Sequence, residues 1–98
     1  MKTVKRYYLD YKEDSSIVAP SGATILEVEA EESGAGGSFG FLVWAEIDTN
    51  NSNLQIDFRI LQEGDEFRAG EPASLTHVKT IALEVGRYKL EGYHIYLK

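Results

Sequence analysis

The chain has 98 residues and no cysteine, which excludes a disulfide framework, a zinc–thiolate or iron–sulfur site and a cysteine nucleophile. Its formal net charge is −6, and the span Glu27–Glu71 holds eleven acidic residues against two basic ones, Arg59 and Arg68. An acidic middle argues against direct nucleic-acid binding, which needs clustered Lys and Arg.

No apolar run approaches the roughly 20 residues needed to span a bilayer. The opening Met1-Lys-Thr-Val-Lys-Arg-Tyr-Tyr is basic but has no apolar core, so it does not read as a signal peptide. The expected location is the cytoplasm, and the expected organisation is one domain over residues 1–98.

Lys2 to Tyr11 reads as a strand with Tyr7, Leu9 and Tyr11 inward and Val4, Arg6, Tyr8 and Asp10 on the other side. Lys12-Glu-Asp-Ser-Ser is a turn, and Ser16–Ala19 a short strand. Pro20-Ser-Gly-Ala is turn chemistry: Pro20 presets φ and Gly22 permits φ > 0. Thr24–Glu31 alternates cleanly, placing Leu26, Val28 and Ala30 inward and Glu27, Glu29 and Glu31 outward. Glu32 to Ser38 is a glycine-rich loop without the lysine and following helix of a phosphate-binding loop.

Phe39–Asp48 is the organising strand. Phe39, Phe41, Val43, Ala45 and Ile47 share one face, while Leu42 and Trp44 make the other face apolar too. Phe41, Val43, Ala45 and Ile47 are expected in the core. If nothing covers the opposite face, Leu42 and Trp44 form an exposed apolar patch. Asp48-Thr-Asn-Asn-Ser-Asn53 resembles a calcium loop at three positions, but Asn53 stands where glycine is needed and Arg59 where a bidentate glutamate is needed. Asx-turn chemistry explains these asparagines.

Leu54–Leu61 alternates with Leu54, Ile56, Phe58 and Ile60 inward. The short polar turn makes it the expected antiparallel partner of Phe39–Asp48, with Trp44 set against Arg59 as a cation–π pair. Gln62–Ser74 is a long loop in which Phe67 stands alone, expected to tuck back onto the sheet edge, the other reading being an exposed anchor for a partner. Leu75–Val85 is a strand whose apolar parity changes near Lys79–Ile81, which indicates a bulge. Gly86-Arg87 and Glu91-Gly92 are turn signals five residues apart, one a hairpin and the other a distortion. Tyr93 to Leu97 closes the chain with Tyr93, Ile95 and Leu97 inward. Six to seven short strands with turn signals between them read as all-β: a small antiparallel β-sandwich or barrel.

Catalytic constellations are not legible. His77 and His94 have no metal-ligand spacing, so no metal or cofactor is expected. No nucleophile elbow is present, and Asp65 and Glu66 lie in a loop with no apolar surroundings to raise a carboxyl pKa. The six tyrosines offer a sugar-stacking platform, but core parity accounts for most of them.

Several pieces carry a resemblance: Lys5-Arg6-Tyr7, Pro20-Ser-Gly-Ala-x-Ile-Leu-x-Val28, Leu42-Val-Trp-Ala-Glu-Ile-Asp48, Phe58-Arg-Ile60, and the ending His77-Val-Lys-Thr-Ile81 with Tyr93-His-Ile-Tyr96. With them the chain resembles a group of short uncharacterised β-proteins encoded in bacteriophage and prophage genomes. It departs by a longer Gly34–Ser38 loop and by the Val85–Leu90 segment. The resemblance implies a source and no mechanism. The expectation is a non-catalytic phage accessory protein that binds a host macromolecule with a basic surface, in concrete form an inhibitor of a host defence complex such as a CRISPR effector. Acidic side chains would fill a groove made for nucleic acid. The candidate contact residues are Glu27, Glu29, Glu31, Glu32, Trp44, Asp65, Glu66 and Phe67. Alternatives are an assembly module that joins copies through sheet edges and a sandwich that binds a carbohydrate or nucleotide.

Overall fold

A computed structural model describes residues 1–32, 39–85 and 89–98. It contains seven strands: β1 (Lys2–Asp10), β2 (Asp14–Pro20), β3 (Thr24–Glu32), β4 (Phe39–Asp48), β5 (Asn53–Gln62), β6 (Thr76–Val85) and β7 (Lys89–Leu97). They form a three-stranded sheet in the order β1-β4-β3 and a four-stranded sheet in the order β2-β5-β7-β6, with every pairing antiparallel. The protein is an all-β sandwich.

Each sheet turns one row of side chains inward. From the three-stranded sheet come Leu9, Val28, Phe41 and Val43; from the four-stranded sheet come Ile17, Ala19, Phe58, Ile60, Tyr93 and Ile95. Phe41, Val43, Ala45 and Ile47 are buried, as the alternation in β4 requires. Four aromatic rings close one region of the core: Tyr11, Phe39, Phe41 and Tyr93, with neighbouring centroids 5.3–6.3 Å apart. Edge-to-face geometry in such a cluster adds about 0.5–1.5 kcal/mol per pair beyond burial alone. Burial pushes the Tyr93 hydroxyl pKa up, and its 2.6 Å hydrogen bond to the Glu91 carboxylate pushes the same way.

The organising strand finds different partners from those its turn predicts. β4 is central in its own sheet, held by β1 and β3, while β5 belongs to the other sheet. Thr49 to Ser52 therefore carries the chain from one sheet to the other instead of closing a hairpin. The crossing is pinned to the β2–β3 turn: Ser21 N–H donates to the Ser52 carbonyl (2.8 Å), and Asn51 Nδ2 donates to the Ser21 carbonyl (2.8 Å). The reason is packing, because β4 and β5 both carry an apolar row and stacking the two rows face to face buries both. Trp44 and Arg59 consequently lie on outer faces of different sheets, on opposite sides of the molecule, and make no cation–π pair.

Three smaller differences have local causes. The register of β3 shifts between Ile25 and Glu27, so Ile25 packs on the core and Leu26 is 51% exposed, not inward. Leu54, at the start of β5, is 45% exposed, while Phe58 and Ile60 are fully inside. The bulge in β6 falls between His77 and Lys79, two residues before the expected place. Gly92 pairs with Ala82 inside the β6–β7 ladder, whereas Gly86-Arg87 and the Gly34–Ser38 loop lie outside the described residues.

Candidate functional site

The two sheets differ on their outer sides. Across the four-stranded sheet runs the segment from Glu63 to Leu75. Its Glu71 carboxylate accepts from Arg59 Nε (3.2 Å) and from the Arg68 backbone N–H (2.8 Å). The Arg68 N–H and the Arg59 guanidinium hold the Glu71 carboxyl below its ordinary range. Arg59 is 3% exposed and also donates to the carbonyls of Glu13 and Ile60. Phe67 stands edge-on to Tyr96, with centroids 5.8 Å apart; it rests on the interior strand β7 and not on the sheet edge as expected, and its side remains 43% exposed. Asp65 closes the start of the segment by accepting from the Gln62 N–H (2.9 Å).

The outer side of the three-stranded sheet carries no such segment among the described residues. Cross-strand register sets three side chains abreast at each level. Arg6, Trp44 and Glu27 form one level; Tyr8, Leu42 and Glu29 the next; Asp10, Gly40 and Glu31 the third. Val4 and Glu46 continue the face at the other end. Trp44 and Leu42 are half-buried, while Val4, Tyr8 and Leu26 are 56%, 44% and 51% exposed. The result is an apolar stripe along β4, flanked by the basic side chains of β1 and the glutamates of β3.

The stripe is built from the sequence in identifiable ways. Gly40 leaves space that Tyr8 fills: a Cβ there would collide with the Tyr8 hydroxyl and the Leu9 carbonyl oxygen. A cross-strand aromatic covering a strand glycine is a known stabiliser of sheets. The β3 bulge brings Leu26 to the surface beside Glu27. Glu27 itself accepts from the Val28 N–H (2.9 Å) and pairs with Lys79 (2.8 Å), and that lysine hydrogen bond lowers its pKa. Its carboxylate thus blunts the open edge of β3, a common protection against stray strand pairing.

The candidate residues therefore fall into two groups. Glu27, Glu29, Glu31 and Trp44 meet on the three-stranded sheet. Asp65, Glu66 and Phe67 lie on the segment over the other sheet and share no surface with the first group. Glu32 pairs with Phe39 through its backbone, and its side chain lies outside the described residues. Val4, Arg6, Tyr8 and Leu26 join the site from the structure. The outward parity of Val4, Arg6 and Tyr8 was a usable signal in the sequence; the surfacing of Leu26 depended on the bulge.

Two other clusters invite chemistry. A polar cavity of about 250 Å³ is lined by Asp10, Lys12, Asp14, Ser16, Gln55 and Asp57, among others. Its carboxylates are engaged: Asp14 with Arg68 and Lys98, Asp57 with Gln55, Asp10 with Lys12. The Lys98 and Arg68 hydrogen bonds hold Asp14 low, the opposite of what a general acid needs. On the four-stranded sheet, Thr80 Oγ1 bridges His77 Nε2 (2.8 Å) and His94 Nδ1 (3.0 Å), a link between neighbouring strands that sequence spacing did not reveal. Among the described residues no three His, Cys, Asp or Glu side chains gather as metal ligands, and no helix is long and apolar enough to cross a membrane.

A family model described as a domain of unknown function, DUF7352, matches residues 1–98. The chain belongs to the DUF7352 family. The family's description carries no activity. Searches of curated proteins and of solved structures return no match. Assignment of a role to this family member rests on the two unequal faces of its sandwich.

Proposed function

We propose that this DUF7352 protein is a non-catalytic binding module whose contact surface is the outer face of the three-stranded sheet. The observation that carries this reading is the stripe of Trp44, Leu42, Tyr8, Val4 and Leu26, left open beside Glu29 and Glu31. A half-buried tryptophan amid smaller apolar side chains, rimmed by charge, has the make-up of an interface anchor. The partner is a protein that presents an apolar centre flanked by Lys or Arg, which the glutamate row would steer into place. The finer reading is a phage accessory protein that blocks a basic, nucleic-acid-binding surface of a host defence complex. Its support is the resemblance to phage-encoded β-proteins and the acidic row of β3.

Site-specific photo-crosslinking tests the proposal. A photoreactive phenylalanine analogue at position 42 is expected to trap a discrete protein from a lysate of the source cell, in a complex lost on Glu29→Lys or in high salt. The same analogue at position 18, an exposed site on β2 of the other sheet, is expected to trap none. Equal labelling from both positions would refute the assignment of the face.

A further inference from the structure

The face proposed above for binding is complementary to itself, and we infer that in the absence of another partner it closes on a second copy of this chain. The inference rests on the proposed function for the identity of the face and adds its occupant. The supporting observation is the charge layout. Along one side of the apolar stripe β1 sets Arg6, with Lys2 beyond it paired to Glu46 of its own chain; along the other β3 sets Glu29 and Glu31, with Glu27 beside them paired to Lys79. A two-fold axis lying between two such faces, parallel to β4, brings the β1 row of each copy over the β3 row of the other. β4 then stacks on β4, Trp44 on Trp44 and Leu42 on Leu42, while Arg6 of one copy reaches Glu29 of the other.

The arrangement has the isologous form of most homodimers, in which each contact occurs twice. Sheets pack face to face about 10 Å apart with a modest angle between strands, which suits the side chains present. Asp10 and Glu31 would approach one another at the far end, but Lys12 lies 3.8 Å from Asp10 and offsets its charge. The face is narrow. Three strands of about nine residues give a footprint of roughly 400 Å² per copy, so the pair buries roughly 800 Å² in total, below the low end of specific stable interfaces at about 1,200 Å². The dimer is therefore weak and reversible, formed at micromolar or higher concentration, and it hides the stripe until a partner with a better-matched basic surface displaces it.

Sedimentation equilibrium over a concentration series tests this, with intrinsic tryptophan emission as a second readout because the chain has one tryptophan. The wild type is expected to move from the 11.0 kDa monomer toward twice that mass as concentration rises. Its Trp44 emission should shift to the blue in step. Trp44→Ser should remain monomeric, and Arg6→Glu and Glu29→Lys should each weaken association at least tenfold. Because the two charges face each other across the axis, the double variant Arg6→Glu with Glu29→Lys should recover most of the loss. Far-ultraviolet circular dichroism shows that each variant is folded. A wild type that stays monomeric up to millimolar concentration overturns the inference, as does a dimer indifferent to Trp44→Ser or a double variant no better than the singles. If the wild type is monomeric yet position 42 still traps a discrete protein, the self-association fails and the binding function stands. A firm dimer without any trapped protein reverses that outcome.

Discussion

The two outer faces of this sandwich began from similar material and ended differently. Each has one large apolar or charged side chain in the middle of a central strand: Trp44 on β4, Arg59 on β5. Arg59 is sealed beneath the Glu63–Leu75 segment, its charge met by Glu71 and by two backbone carbonyls. Trp44 stays half-open beside Arg6 and Glu27. The chain thus covers the group that could not be left buried and unpaired, and leaves open a group that gains from burial but does not demand it.

The comparison breaks most sharply at paired leucines. Leu61 lies on the outer row of β5 next to Arg59 and is 3% exposed, whereas Leu42 lies on the outer row of β4 and is half-buried. Leu61→Ala is expected to cost about 2–5 kcal/mol in urea denaturation, because it leaves a cavity where an enclosed side chain stood. Leu42→Ala should cost about 1 kcal/mol, in proportion to its partial burial. Equal losses would mean that the open face is as closed in solution as the covered one.

Glu71→Ala probes the clamp itself. It strips the Arg59 guanidinium of its carboxylate while Arg59 remains enclosed, so the melting temperature should fall by more than for Glu27→Ala, which removes an exposed pair with Lys79. Amide exchange should rise at Glu71, Ser74 and Leu75, whose N–H groups bond within the segment, and stay constant in β1 and β4.

The smallest effect is acid sensitivity. Glu71, Asp14, Asp48 and Glu27 all have pKa values lowered in the folded protein. Folding is then favoured by their ionised forms, so their contribution is complete above the unfolded-state values near 4 and is lost as pH falls through the folded values. A melting-temperature profile should be flat from pH 7 to about 5 and decline below about 4. Glu71→Gln should reduce that decline more than Glu27→Gln, because Glu71 serves an enclosed partner and Glu27 an exposed one.

The sequence by itself determined a good deal. Period-two alternation in Thr24–Glu31, Phe39–Asp48 and Leu54–Leu61 set the strands and, except at Leu26 and Leu54, their inward rows, because a strand sends successive side chains to opposite faces regardless of its neighbours. Phe41, Val43, Ala45 and Ile47 could be assigned to the core on that ground alone, and Glu29 and Glu31 to the outer face. The Asx chemistry read into the asparagines of Asp48–Asn53 falls to Asp48: its carboxylate accepts from the Asn50 N–H at 3.0 Å and pairs with the Met1 ammonium at 2.9 Å.

Strand partnership was decided only by the tertiary structure. A four-residue polar turn is as compatible with a hairpin as with a crossing between sheets, and the choice depends on where two apolar rows can stack. That choice moved Arg59 away from Trp44, placed β1 beside β4, and set Arg6 and Glu27 on either side of the tryptophan. The β3 bulge, which no periodicity could locate, brought Leu26 to the surface. Whether Trp44 is enclosed or left half-open was never a property of Phe39–Asp48. It depended on whether a distant segment covers that face, and the long Gln62–Ser74 loop went instead to the other sheet, where a buried arginine needed a carboxylate.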